Sequence, residues 1–363
     1  MEFLRPMFSE NNIPIVFSCS DWFVPYAVGA VRSLMDHSSQ AYNYDIIFVH
    51  TGISENNRHL MQTMILDNPN FSLRFLDISD SFQASNLVIH SHFSIETFYR
   101  LVIPWVLIDY EKVIYLDSDL IILRDLADLF EVEIGDNLLA ATIDAEMACE
   151  YNGSILGVKE YCDTVLKLEN PYSYFQAGVL LLNLCAFRKT FAPYELLELA
   201  EKRNYHYVDQ DVLNVACSGR MYPLAMNWDV LTDAGGRINE IRKRAPKAIC
   251  QAYQEARQHP FIIHYAGWEK PWDSPQSDFA EIYWQYARKT PFYEVNLLRL
   301  IHKKAIQGNL QTEPAGYQSR VRKLADKLLP KGSRRRNLAK KILPKGSRRW
   351  NFCKKIYYKI FKR

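Results

Sequence analysis

The sequence predicts an α/β fold built on a largely parallel sheet. Three observations lead to this prediction. The chain has 363 residues, 48% of them hydrophobic, which is enough to bury a sizeable core. Its first half alternates short apolar runs with segments of helical period. Strand–helix units repeated in this way form parallel sheets through right-handed crossovers, the layout of nucleotide-binding domains.

The first half predicts four strands separated by helices. The strands are residues 13–19, 44–50, 72–77 and 113–116. The helices are residues 24–37, 54–66 and 95–107. Ser54 is the expected N-cap of the second helix. Pro104 is expected to bend or break the third.

The second half predicts two further strands and two helices. The strands lie within residues 177–184 and 261–265, and the helices within residues 192–203 and 209–217. Residues 233–258 are charged and read as a loop without assigned structure.

Two carboxylates follow the fourth strand in the run VIYLDSDLII. Asp117 and Asp119 would be costly to bury without partners, but they fall at the carboxyl end of the strand, where ligands bind in open α/β sheets. Two acidic residues spaced i and i+2 can direct several oxygens at one Mg²⁺ or Mn²⁺ ion. The alternative is a solvated turn in which an Asp caps the next helix.

Several site types are excluded or disfavoured by absent motifs. Neither G-x-G-x-x-G nor G-x-x-x-x-G-K-[ST] follows the first strand, so a bound phosphate would depend on metal and side chains. The seven cysteines are scattered without C-x-x-C spacing, which favours reduced thiols over a zinc site or disulfides. No signal peptide and no apolar run of about 18 residues is recognisable. The expected location is therefore the cytoplasm.

The C-terminal segment differs in charge from the rest of the chain. From Arg320 to Arg363 it carries 18 Lys and Arg and one acid, Asp326, although the whole chain has a net charge of only +3. It repeats LPKGSRRRNLAKKI as LPKGSRRWNFCKKI. Basic amphipathic helices with aromatic residues bind anionic bilayers, so we expect a peripheral membrane tail from about residue 318. An RNA-binding arm or a merely solvated tail are the alternatives.

Four motifs in order resemble glycosyltransferase family 8, the retaining enzymes that include bacterial lipopolysaccharide galactosyltransferases and glucosyltransferases and the glycogenins. They are VIYLDSDLII, YFQAGVLLLNL, YVDQDVLN and HYAGWEKPW, and the similarity runs from about residue 13 to 275. The resemblance implies a GT-A fold, Rossmann-like with a mixed central sheet, over residues 1–290. Residues 291–363 would form a helical extension with the basic tail, as in the lipopolysaccharide branch.

The resemblance also implies a UDP-hexose donor, a Mn²⁺ or Mg²⁺ cofactor and a set of site residues. Asp117, Asp119 and His264 would hold the metal, and Asp209, Gln210 and Asp211 would lie nearest the anomeric carbon. The implied donor-binding residues are Ser18, Cys19, Ser20, Asp21, Arg100, Asp117, Ser118, Asp119, Asp144, Gln176, Gly267 and Lys270. His92 and Tyr207 would lie on the acceptor side.

Retention leaves two chemical schemes open at this stage. Asp211 is the nucleophile in a double displacement, whereas Gln210 offers only its amide oxygen to an oxocarbenium-like centre in front-face attack. The non-catalytic interpretation makes Asp209 a helix cap. Similarly, Arg100 could form only an i, i+4 pair with Glu96.

The sequence departs from the family pattern in two places. In the loop after the first strand, Ser20-Asp21 stands where an acidic pair is usual and Trp22 stands where an Asn is usual, which weakens the expected uracil and ribose contacts. Gln176 stands where Asn is commoner, and its extra methylene shifts the amide.

The sequence thus predicts a retaining transfer of glucose or galactose from a UDP-sugar to a glycan or glycolipid acceptor, such as a lipopolysaccharide core, at the inner face of the cell membrane. No nucleic-acid partner is expected. The rival hypotheses are a metal-dependent nucleotidyltransferase and an inactive membrane- or nucleic-acid-binding module.

Overall fold

The computed structural model describes residues 4–82, 87, 94–202 and 205–311, with side chains up to residue 306. The chain divides into two compact units, Met1–Leu300 and Ile301–Arg363. The basic tail predicted from about residue 318 lies outside the described residues, so its helical and membrane-binding character stays a prediction.

In the described part of the chain, ten strands form two sheets. Their bounds are β1 Asn12–Ser18, β2 Asn43–His50, β3 Phe71–Asp77, β4 Lys112–Leu116, β5 Leu120–Ile122, β6 Leu139–Ala141, β7 Val179–Asn183, β8 Met221–Pro223, β9 Val230–Leu231 and β10 Ile262–His264. The central sheet has the order β3-β2-β1-β4-β7-β6-β8, and the small sheet has the order β5-β10-β9. Strands β1 to β4 are parallel, whereas β7 is antiparallel to both of its neighbours. The mixed α/β prediction is therefore confirmed.

Helices connect and cover these strands. Their bounds are α1 Val24–His37, α2 Glu55–Thr63, α3 Ile103–Val106, α4 Ala127–Phe130, α5 Ala145–Cys149, α6 Val158–Tyr161, α7 Leu184–Thr190, α8 Glu195–Lys202, α9 Val208–Ala216, α10 Arg237–Arg244, α11 Lys247–Gln258, α12 Ala280–Ala287 and α13 Tyr293–Gln311. Ser54 caps α2 by accepting a hydrogen bond from the Asn57 N–H, as predicted. None of the helices in the described part of the chain is both long and apolar enough to cross a membrane.

The central sheet is buried on both faces. Successive side chains of β1 point to opposite sides, so Ile15 and Phe17 pack with Val28 of α1 while Val16 packs with Tyr99 on the other face. Each fully buried side chain of this kind contributes about 1.5–3 kcal/mol to folding. The carboxyl ends of the parallel strands are thereby held at one edge.

Two segments differ from the sequence prediction. Residues 95–107 are not one helix broken at Pro104: a 3₁₀ helix spans Ile95–Leu101, and Pro104 lies in the first turn of α3, where proline is tolerated. Residues 233–258, expected to be a loop, contain α10 and α11.

Candidate active site

The D-x-D segment joins the two sheets. Asp117 follows β4 of the central sheet, and its N–H donates to the Gly178 carbonyl at 2.8 Å. Asp119 precedes β5 of the small sheet. Strand β10 pairs antiparallel with β5 and sets His264 opposite Leu120. This register brings an imidazole 145 residues away in sequence beside the two carboxylates.

Asp117, Asp119 and His264 form one cluster. The His264 Nε2 atom lies 3.3 Å from Asp119 Oδ1 and 3.8 Å from Asp117 Oδ2. One ligand atom from each of the three residues lies within 4.8 Å of the others. Two carboxylates and one imidazole at this spacing can hold a divalent cation.

Asp229 orients the imidazole and was not predicted from the sequence. This buried residue precedes β9, and its Oδ1 lies 2.8 Å from His264 Nδ1. Its Oδ2 has no hydrogen-bond partner among the described residues. Burial lowers the pKa of His264, but Asp229 and then Asp119 outweigh this effect and raise it to about 10. With the Nδ1–H donating to Asp229, the Nε2 atom, which faces the carboxylate pair, can offer its lone pair to a cation.

We expect Asp229→Asn to weaken metal binding. Loss of the carboxylate that fixes a ligating imidazole costs about 10–100-fold in metal affinity. Titration with Mn²⁺, monitored by the electron paramagnetic resonance signal of the free ion, measures the effect. Asp136→Asn, an exposed aspartate outside the cluster, is the control. Equal affinity in Asp229→Asn and wild type would contradict this role.

Gly178 makes room for the cluster. A Cβ atom built on it would lie 2.2 Å from His264 Cε1, 2.7 Å from His264 Nδ1 and 3.2 Å from Asp117 Oδ2. Glycine at this position precedes β7, in the motif YFQAGVLLLNL. Because glycine has no side chain, His264 at the end of β10 and Asp117 just after β4 can both lie close to its backbone.

Lys270 neutralises Asp119. Its ammonium binds the Asp119 carboxylate and donates to the Tyr265 carbonyl at 2.6 Å. Burial raises the pKa of Asp119, but Lys270 and His264 outweigh it and hold that pKa well below its usual range. Gly267, between His264 and Lys270, has φ +98°, a conformation that favours glycine.

Arg100 links the D-x-D segment to α9. Its guanidinium donates to Asp117 Oδ1 at 2.7 Å and to Asp209 Oδ2 at 2.8 Å. Burial lowers the Arg100 pKa, but these two carboxylates raise it overall. Thr97 also donates to Asp209. The local pair with Glu96 that the sequence permits is replaced by these long-range contacts.

Asp144 and two glutamines form a second polar group. The Asp144 Oδ2 atom accepts hydrogen bonds from Gln176 Nε2 at 2.6 Å and from Gln210 Nε2 at 3.0 Å. Its Oδ1 atom accepts backbone N–H groups at the start of α5 and so caps that helix. Gln210 Oε1 accepts the Ala177 N–H at 3.0 Å. Burial raises the pKa of Asp144 to about 6. The longer side chain of Gln176 therefore reaches Asp144, and the partly exposed Gln210 is fixed at both ends.

Asp211 points into the protein. Its carboxylate accepts hydrogen bonds from Tyr161 and Tyr174 at 2.6 Å each and from the Tyr207 N–H at 2.8 Å, and its exposure is 0%. Helix α9 begins at Val208 with Tyr207 as its N-cap. The alternative that Asp209 caps this helix is therefore wrong. Burial raises the pKa of Asp209 to about 6, although Arg100 opposes this shift.

Tyr207 leads to a buried glutamate that the sequence did not reveal. Its hydroxyl donates to Glu150, which lies just after α5. Burial raises the Glu150 pKa to about 8 from an ordinary value of 4.5. No motif marks Glu150, and only the fold brings it to Tyr207. His92 and the neighbouring His90 lie outside the described residues, so their acceptor-side role stays a prediction.

Glu150 should make stability depend on pH. Because its folded pKa is the higher one, wild-type stability falls as pH rises through about 4.5–8 and then levels off. Glu150→Gln keeps an oxygen for Tyr207 but cannot ionise, so it should melt progressively higher than wild type across this range. Thermal melts from about pH 4 to about pH 9 measure this. Exposed Glu160→Gln should follow wild type, and a pH-independent gap for Glu150→Gln would contradict the assignment.

The loop after β1 is held by neighbouring elements. Ser18 Oγ lies 2.7 Å from the Tyr115 hydroxyl, and Ser118 donates to the Ser18 carbonyl at 2.7 Å. Asp21 accepts the Ser54 N–H at 2.8 Å and so ties this loop to the start of α2. Cys19 is buried, whereas Ser20 is only partly so. Trp22 is 65% exposed, and the Arg299 guanidinium lies 3.6 Å from its ring.

Comparisons with known proteins relate this chain to glycosyltransferases. The family described as "Glycosyl transferase family 8" matches residues 14–276. General stress protein A of Bacillus subtilis is 24% identical over 77% of this chain and 95% of its own length. Lipopolysaccharide 1,2-glucosyltransferase of Escherichia coli is 28% identical over 45% of this chain and 44% of its own length.

Solved glycosyltransferase structures have a similar fold. The WbbM bifunctional glycosyltransferase superposes with a TM-score of 0.72 and 27% identity, covering 82% of this chain and 53% of WbbM. Galactosyltransferase LgtC, solved with donor and acceptor sugar analogues, gives 0.63 and 25%, covering 77% of this chain and 96% of LgtC. The chain therefore spans about half the length of some relatives and nearly all of others. Its fold is of the GT-A type, and the chain belongs to glycosyltransferase family 8.

Proposed function

We propose that this chain is a metal-dependent retaining hexosyltransferase that moves galactose or glucose from a UDP-sugar to a glycan acceptor, such as a lipopolysaccharide core. The observation that carries the proposal is the convergence of Asp117, Asp119 and His264 at the edge where both sheets meet. LgtC is a galactosyltransferase and the Escherichia coli relative is a lipopolysaccharide glucosyltransferase, which supports a hexose as the transferred sugar. We also propose that the basic tail holds the enzyme at the inner membrane face.

The residues of the cluster fit a Mn²⁺ or Mg²⁺ ion. Hard carboxylate oxygens come from Asp117 and Asp119, and the second nitrogen of His264 is already engaged by Asp229. A bound ion would supply positive charge against the diphosphate of the departing UDP.

The surrounding cations hold the donor side in position. Arg100 fixes Asp117 through a hydrogen-bonded ion pair and joins it to α9. Lys270, partly exposed beside Asp119, is the cation available to a diphosphate once that carboxylate has another partner. Asp144, with two glutamines on one oxygen, is the proposed acceptor of hydrogen bonds from hexose hydroxyls.

Front-face attack suits this geometry better than double displacement. Asp211 has no exposed surface, and three donors occupy its carboxylate, so a covalent glycosyl intermediate on it would require breaking those bonds. Gln210 is partly exposed and rigidly held. We therefore propose Gln210 as the neutral group beside the developing oxocarbenium, Asp209 as the partner of Arg100, and Asp211 as a positioning residue.

Asp119→Ala tests the proposal. The variant should lose at least about 1,000-fold in the rate of UDP release from UDP-glucose and UDP-galactose with Mn²⁺, since several kcal/mol of charge stabilisation would be lost. Asp128→Ala, at an exposed carboxylate that pairs with Arg124, is the matched control. A coupled UDP assay measures both.

Two results would count against the function. Full activity of Asp119→Ala would mean that the reaction does not depend on the cluster of Asp117, Asp119 and His264. Release of pyrophosphate from UTP, with no UDP from any UDP-sugar, would identify a nucleotidyltransferase instead.

A further inference from the structure

An open groove lies beyond the end of α5, away from the metal-ligand cluster. Its volume is about 850 Å³, within the range of small-molecule sites. None of the predicted site residues that the structure describes lines it. Six of its lining residues matter here: Tyr151, Asn152, Leu156, Lys159, Asn170 and Tyr172.

The rings in the groove are fixed by local contacts. Tyr151 and Tyr172 meet edge to face with centroids 5.6 Å apart, and the Tyr172 hydroxyl donates to Asn152 Oδ1 at 2.8 Å. The Lys159 ammonium donates to the Tyr151 hydroxyl at 2.6 Å. Gly153, at φ +90°, turns the chain out of the helical path beside these rings. The groove is therefore largely built before any ligand arrives.

The lining chemistry favours a saccharide over an acyl chain. Aromatic rings offer flat apolar surface, while the exposed Asn170 amide, whose Oδ1 already accepts the Tyr172 N–H, can donate its N–H₂ to a ligand. An acyl chain would cover this N–H₂ group without hydrogen-bonding it, which costs free energy. A sugar has both an apolar ring face and hydroxyl groups.

The groove follows, along the chain, a residue that contacts the acceptor side of the active site. Asp144 caps α5, which ends at Cys149, and Tyr151 comes two residues after that end. Glu150, which lies between them, accepts a hydrogen bond from the hydroxyl of Tyr207, a residue predicted to lie on the acceptor side. Because no described site residue lines the groove, a glycan that reaches both places would be longer than one sugar ring.

We propose that the groove around Tyr151 and Tyr172 is a distal subsite for the acceptor glycan, which binds sugar units beyond the one that is glycosylated. This inference rests on the proposed function. The subsite would select acceptors by length, whereas donor hydrolysis would not require it.

Tyr172→Ala tests the subsite in the full-length protein. Binding to an array of bacterial surface oligosaccharides should reveal glycans of three or more sugars that wild type retains and that Tyr172→Ala binds about tenfold more weakly, a loss of about 1.4 kcal/mol. Tyr172→Phe, which keeps the ring, should bind nearly as wild type. Tyr222→Ala is the control, since this partly exposed tyrosine does not line the groove.

The same variants should separate binding from chemistry. With a glycan found on the array as acceptor, Tyr172→Ala should raise KM without lowering kcat, and hydrolysis of UDP-glucose and UDP-galactose without acceptor should be unchanged.

Three results would overturn the subsite: equal glycan binding by wild type and Tyr172→Ala, no glycan bound by wild type, or a variant that loses only binding to anionic phospholipid vesicles. Failure of the proposed function looks different, because wild type itself would then release no UDP.

Discussion

Replacing Gly178 with alanine should disable the enzyme while leaving most of the fold intact. The new methyl group would need the space of the His264 ring and would approach Asp117 Oδ2. The His264 ring cannot simply rotate away, because its Nδ1 atom is hydrogen-bonded to Asp229. We expect transfer to fall at least about 100-fold, as for other misplaced catalytic groups. The free energy of unfolding should fall by about 1–3 kcal/mol from overpacking.

A control variant and a double variant identify the cause of the Gly178→Ala defect. Gly29→Ala, in α1, places its methyl 3.3 Å from the Tyr283 ring edge and should change activity little. Adding Gly178→Ala to His264→Ala should cost little further stability, because the ring that the new methyl group would meet is already absent, while Mn²⁺ affinity stays low. Urea unfolding, Mn²⁺ titration and UDP release are the measurements. A fully active Gly178→Ala enzyme would mean that the cluster tolerates displacement.

Among the variants described here, Arg100→Ala should cause the largest fall in the free energy of unfolding. Arg100 is buried between Asp117 and Asp209, so its removal leaves carboxylates without their counter-charge. Breaking a buried pair by removing one partner typically costs about 3–5 kcal/mol. Activity should fall as well, because Asp117 loses the contact that orients it.

Matched variants distinguish this effect from the loss of any arginine. Arg124→Ala removes an exposed pair with Asp128 and should cost less than about 1 kcal/mol. Arg100→Ala/Asp209→Asn should regain part of the loss, since one stranded charge is removed. Urea unfolding at neutral pH compares the three. A loss for Arg100→Ala no larger than that for Arg124→Ala would contradict the role.

The sequence predicted the strands well because their signals are local. The runs at 44–50 and 72–77 appear as β2 and β3 with one added residue at the start of each. Helices α10 and α11 were missed although Ile241, Tyr253 and their apolar neighbours repeat at helical spacing. The high charge of the segment and the break at Pro246 concealed that period.

Long-range pairing explains what the sequence could not reveal about the site. Asp117, Asp119 and His264 were predicted through motifs, but Asp229 carries no motif and is recruited by the pairing of β9 with β10. The 3₁₀ form of Ile95–Leu101 has a similar origin. Residues i and i+3 align in such a helix, so Thr97 and Arg100 both reach Asp209.

The pairing of Lys270 with Asp119 has a consequence for the proposed dependence on a metal ion. Asp119 already has a positive partner from its own chain, so folding need not wait for a cation, unlike in zinc fingers. Removal of the ion by a chelating buffer would then inactivate the protein reversibly without unfolding it. In a cell short of manganese or magnesium, the enzyme would remain folded but inactive, and it would regain activity when the ion returns.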